Sequence, residues 1–134
     1  MTMETNAKVL IIDDEPETTT YFSTVLEDNG FAPRSAHSAD EGLAVLKEEK
    51  PDLILLDLMM PYKTGVNLFN KIKKDPRYRD VPVIIVTGIR DRFSEDHRAF
   101  FDSLRKSRPS AYLEKPVEPE QLIGAVKRSL EAMD

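Results

Sequence analysis

The chain has 134 residues, 40% hydrophobic and 32% charged, with a net charge of −5, which is the balance of one globular domain rather than of a disordered segment. Its acidity leaves no broad basic field for nucleic acid, and the absence of cysteine excludes disulfides, thiol catalysis and zinc–thiolate sites. The polar start lacks the apolar core of a signal peptide, and no apolar run approaches the roughly 18 residues of a membrane-spanning helix, so a soluble, cytoplasmic protein is expected.

Residues 1–7 read as an N-terminal extension and residues 8–132 as one domain. Val9-Leu10-Ile11-Ile12 opens the domain as a nearly continuous apolar run, the pattern of a strand buried on both faces. Pro16 starts a helix with Tyr21, Phe22, Val25 and Leu26 on one stripe, and Asn29-Gly30 closes it. Phe31 to Ala36 is more polar and carries Pro33, which suits an edge strand. Ser38-Ala39-Asp40-Glu41 forms a capping box at the head of a helix bearing Leu43 and Leu46. Leu53-Ile54-Leu55-Leu56 is a second buried strand. Val66, Phe69 and Ile72 mark a helix that must end before Asp75-Pro76. Val81 to Val86 is another buried strand. Arg90 to Lys106 is charged but carries Phe93, Phe100, Phe101 and Leu104, and reads as a helix. Ala111-Tyr112-Leu113 is a weaker strand. Pro119 begins the last helix, with Leu122, Ile123, Val126 and Leu130 on one face. The order is (βα)₅, an α/β fold with a parallel sheet and helices on both faces. The sequence stops with that helix, a stop equally consistent with a stand-alone regulator and with a receiver cut from a longer protein.

In a doubly wound sheet, ligands bind beyond the carboxyl ends of the strands. Asp13, Asp14 and Glu15 follow the first strand there. Asp57 ends the third, Thr87 and Gly88 the fourth, and Lys115 and Pro116 the fifth. Crowded carboxylates repel one another unless a cation joins them. A donor set of oxygens without His or Cys points to a hard cation, Mg²⁺ before Ca²⁺ or Zn²⁺. One carboxylate can then attack phosphorus to give an acyl phosphate, while Lys115 and the Thr87 hydroxyl serve the phosphoryl oxygens. Each residue alone is more simply a cap or turn residue. Their gathering on successive strand ends favours chemistry.

These residues resemble the receiver domains of two-component response regulators, in the single-domain, chemotaxis-regulator-like form. The matching pieces are Val9 to Glu15, Pro51 to Pro61 with Gly65, Pro82 to Gly88, and Tyr112 to Pro116. The resemblance spans about Lys8 to Leu130. It implies a flavodoxin-like, five-stranded parallel sheet of order 2-1-3-4-5. It implies Asp57 as phosphoacceptor, with Mg²⁺ bound by Asp14, by Asp13 largely through water, by Asp57 and by the Met59 carbonyl. It implies Thr87 and Tyr112 as switch residues, Lys115 as partner of the phosphoryl oxygens, and a cis Lys115–Pro116 bond. The phosphoryl donor would be a histidine kinase or histidine phosphotransfer protein, with a downstream effector that the sequence does not name. Such a protein is a self-modifying switch that slowly dephosphorylates itself, not a turnover enzyme.

Departures from the family pattern matter as well. The stretch from Thr87 to Lys115 is several residues longer than the family norm, and Arg108-Pro109-Ser110-Ala111 replaces its usual Ala-Gly-Ala. Met59 and Ile89 put apolar groups where water would approach, which predicts a long-lived phosphoryl state. No glycine-rich phosphate loop exists. The basic, aromatic stretch from Arg90 to Arg108 reads as a solvated face with its rings inward. Its alternative is a docking surface for an acidic partner or for a second copy in a phosphorylation-dependent dimer. His37 and His97 read as ordinary surface residues. Two other functions stay in view: a non-switching scaffold module of the same fold, and an Mg²⁺-dependent phosphatase, for which the chain has little sequence to spare.

Overall fold

The computed structural model describes residues 6–58, 60, 64–88 and 109–132. Its strands are β1 (Lys8–Ile12), β2 (Ala32–Ala36), β3 (Leu53–Asp57), β4 (Val83–Gly88) and β5 (Ala111–Lys115). Its helices are α1 (Pro16–Asp28), α2 (Ala39–Glu48), α3 (Thr64–Lys74) and α4 (Pro119–Glu131). The helix expected over Arg90 to Lys106 lies outside the described residues. The strands form one parallel sheet of order β2-β1-β3-β4-β5, as the family resemblance implied.

Successive side chains on a strand point to opposite faces, so each buried strand feeds two cores. Leu10, Ile12, Ile54, Leu56, Val83 and Ile85 face α2 and α3, where Leu46, Leu68, Phe69 and Ile72 meet them. Val9, Ile11, Leu53, Leu55, Ile84 and Val86 face α1 and α4, where Phe22, Leu26, Leu122 and Val126 meet them. The two-sided burial read from the apolar runs is thus present on β1, β3 and β4. Val81 falls just outside its expected strand, its N–H turned back to the Tyr78 carbonyl at 2.9 Å.

The caps follow local chemistry. Gly30 has φ 87°, a left-handed conformation that closes α1. Phe31 N–H then donates to Leu26 O at 3.0 Å and Gly30 N–H to Glu27 O at 3.1 Å, the Schellman pattern. Ser38 accepts from Glu41 N–H at 3.1 Å as its capping box requires. The return bond goes one residue further, however, from His37 N–H to Glu41 Oε1 at 2.9 Å. Pro33 lies on β2 at one edge of the sheet. The neighbouring Ala32 N–H donates inward to Ala7 O at 2.9 Å.

Candidate functional site

The carboxyl ends of β1, β3, β4 and β5 bring together every charged residue expected at the rim. Carboxylate oxygens of Asp13, Asp14 and Asp57 lie within 4.8 Å of one another. Asp13 and Asp57 are 1% and 4% exposed, so two negative charges are almost wholly withdrawn from water. Asp14 is exposed and opens the cluster to solvent. Among the described residues this is the one acidic group that could hold a metal ion, and its oxygen-only donors suit a hard divalent cation.

Lys115 answers this charge from β5. Its Nζ donates to Asp13 Oδ2 at 3.0 Å and lies 3.7 Å from Asp57 Oδ2. It also reaches Glu15 Oε1 at 3.5 Å. Burial by itself would lower the pKa of this ammonium. The Asp57 charge, the hydrogen bond and charge of Asp13 and the Glu15 charge outweigh burial and hold it above the ordinary 10.5. Asp13 has a structural task too, because its Oδ1 accepts from Glu15 N–H at 2.9 Å and shapes the turn into α1.

Thr87 is 2% exposed at the end of β4, and its hydroxyl makes a long 3.4 Å contact to the Gly88 carbonyl. Tyr112, on β5, is 43% exposed. The Lys115–Pro116 peptide is cis, as the family resemblance implied. Gly65 completes the floor. A Cβ there would collide with the Asp57 carbonyl oxygen and come within 2.8 Å of Leu58 Cα. Only a glycine lets α3 start this close to the strand that carries Asp57. Met59, Ile89 and the extended basic stretch from Arg90 to Arg108 lie outside the described residues.

Three sequence expectations need correction or addition. Helical spacing puts Tyr21 on the apolar stripe of α1, yet it is 40% exposed and its hydroxyl donates to Val117 O at 2.8 Å. Periodicity counts the ring and ignores the hydroxyl, which seeks a partner at the surface. His37 is exposed, as expected of a surface residue, but it also makes contacts: its Nε2 lies 3.0 Å from Thr19 Oγ1 and its Nδ1 lies 3.7 Å from Glu41 Oε1. Its four-residue spacing to Glu41 was a usable signal. Glu15 was visible beside the aspartates, but its contact with Lys115 depends on how β1 and β5 end relative to each other.

Residues 9–127 match the family model of the response regulator receiver domain. Protein PilH of Pseudomonas aeruginosa is 32% identical over 126 residues, covering 92% of this chain and 98% of PilH. The phosphate regulon transcriptional regulatory protein PhoB of Escherichia coli is 34% identical over 122 residues. That match takes in 90% of this chain and 50% of PhoB, so the chain spans about half the length of that relative. Among solved structures, a CheY-like response regulator receiver domain protein from Methanospirillum hungatei superimposes with a TM-score of 0.81 at 31% identity, covering 95% of each chain. NtrX from Brucella abortus gives 0.83 at 27% identity over 96% of this chain and 28% of NtrX.

Proposed function

Because the chain belongs to the response regulator receiver domain family, we propose that it is a phosphorylation switch with Asp57 as its phosphoacceptor. The observation that carries this reading is the meeting of three carboxylates within 4.8 Å with the Lys115 ammonium, 3.7 Å from Asp57. A structural ion pair needs one acid for one lysine, whereas this cluster has acid to spare and an opening at Asp14.

Asp13, Asp14 and Asp57 would hold Mg²⁺, together with the Met59 carbonyl from outside the described residues. The ion supplies positive charge that lets the acids coexist and lets an anionic phosphoryl group approach them. An Asp57 carboxylate oxygen attacks the phosphorus of a phosphohistidine on a histidine kinase or phosphotransfer protein. The P–O bond forms as the P–N bond breaks, and the imidazole leaves with the bonding electrons and takes up a proton. Lys115, already charged and already on the acids, turns its hydrogen bonds toward the new phosphoryl oxygens. Thr87 donates its hydroxyl to the same group, giving up its long contact with Gly88. Tyr112 then changes rotamer on the exposed side of β5 and carries the change outward. Water later attacks the phosphorus of the acyl phosphate; the bond to the Asp57 oxygen breaks, inorganic phosphate leaves and the carboxylate is restored.

Acetyl phosphate, or beryllofluoride as a phosphoryl mimic, tests the reading with Mg²⁺ and intact protein. The expected result is a mass gain of one phosphoryl group, and tight mimic binding, in wild type alone. Both should vanish in Asp57→Asn and on chelation of the metal. A wild type that stays unmodified and binds no mimic, or an Asp57→Asn protein that behaves like it, overturns the assignment.

A further inference from the structure

Lys115 must be held where it can touch both Asp13 and Asp57, yet β5 gives it little support. The strand alternates between half-buried and exposed positions, and Lys115 pairs with Gly88 at the very end of the ladder. The chain then runs through Pro116 to α4. From the α4 side, Glu118 N–H donates to Gln121 Oε1 at 2.9 Å. From the α1 side, the Tyr21 hydroxyl reaches across to the Val117 carbonyl at 2.8 Å, between residues 96 positions apart. A cleft of about 350 Å³ lies between α1 and this loop, with Tyr21 and Phe22 on one wall and Lys115 and Pro116 on the other. The Val117 side chain packs into the core beside Phe22, and the Tyr21 hydroxyl adds a bond to the Val117 backbone across the cleft. The Tyr21 ring itself leans on Phe22, with centroids 5.7 Å apart, and Phe22 is anchored in the core.

We infer that Tyr21 is a positioning residue for Lys115. Its hydroxyl fixes the loop two residues beyond the lysine, which sets the reach of the ammonium to Asp13 and Asp57 and afterwards to a phosphoryl oxygen. This inference rests on the receiver reading above. Tyr21 touches no reacting atom. It acts through the backbone from Val117 to Lys115.

Tyr21→Phe removes the hydroxyl and keeps the ring. With Mg²⁺ present, beryllofluoride should bind the variant about fivefold more weakly than wild type, the size of one net hydrogen bond. In the metal-free protein, the carbon NMR resonance of Lys115 Cε should move toward that of an exposed lysine, while that of Lys73 stays in place. A general loosening of the fold would not single out Lys115. Unchanged mimic affinity, or an unmoved Lys115 resonance, overturns the positioning role while leaving the receiver reading intact. A wild type that binds no mimic overturns both.

Discussion

Two half-buried lysines stand at opposite ends of the sheet, and burial acts on both in the same direction. Lys115, at the carboxyl end, is nonetheless held above the ordinary lysine range, because Asp57, Asp13 and Glu15 outweigh the burial. Lys73, at the last turn of α3, is held below it by burial, with Asp80 countering only in part. Its Nζ finds the Arg79 and Val81 carbonyls at 3.4 Å each, and lies 5.9 Å from the Phe69 ring centroid. Carbonyls and a ring are weaker company for an ammonium than carboxylates. The contrast separates a cation surrounded by carboxylates from one tolerated at a helix end. The carboxylates hold Lys115 in its charged form, whereas burial works against the charge on Lys73 and costs the fold something.

The largest effect follows from removing the cation of the site. Lys115→Ala leaves buried carboxylates facing one another. In metal-free protein it should destabilise the fold by about 2 kcal/mol, a figure discounted for the partial exposure of the lysine. Urea titration measures this, and added Mg²⁺ should recover most of the loss. The pH dependence has a definite sign. A lysine whose folded pKa is raised contributes in full below the ordinary value and loses that contribution as pH rises through the folded value. The advantage of wild type over Lys115→Ala should therefore be flat through neutral pH and shrink only above about 10.5. Equal stability of the two proteins without metal would break the comparison.

A smaller effect, of opposite sign, is expected at the other end. Lys73→Met should stabilise by about 0.5 kcal/mol after allowance for solvent screening. Here the folded pKa lies below the ordinary 10.5, so the unfolded chain binds the proton more readily. The gain should be largest at neutral pH and disappear as pH approaches that value. A loss at neutral pH would mean that the two carbonyl contacts outweigh burial.

The smallest effect concerns Glu15, whose side chain is 65% exposed and 3.5 Å from Lys115. Glu15→Gln should change stability by less than about 0.5 kcal/mol and mimic affinity by less than about twofold, because solvent screens such a pair. A tenfold change in affinity would promote Glu15 to a principal partner of Lys115.

The strand-end residues were legible because they belong to short local runs whose positions the apolar pattern fixes. Asp57 stands at the end of Leu53 to Leu56, and Lys115 at the end of a weaker run. Once the sheet is parallel, all of them must reach one rim. The contacts made there were less legible. Lys115 rests closer to Asp13 than to Asp57, and that depends on the relative reach of two strands 102 residues apart in the chain. The Tyr21 contact is hidden for a similar reason. Helical period assigned its ring to a stripe, while its hydroxyl bond is set by the docking of α1 against a distant loop. The capping-box pattern pairs the Glu41 carboxylate with the Ser38 N–H, and in the fold that carboxylate accepts from His37 N–H instead.

Pro33 has a consequence beyond marking an edge. Because the Ala32 N–H points into the sheet, the N–H of the next position would point away from it, toward the open rim. Proline has no N–H to place there. The ladder to β1 therefore loses nothing, while a strand from another molecule would meet one donor fewer along β2. In a crowded solution this discourages the sheet from growing into its neighbour, so the residue guards against fibre-like self-association without weakening the fold it belongs to.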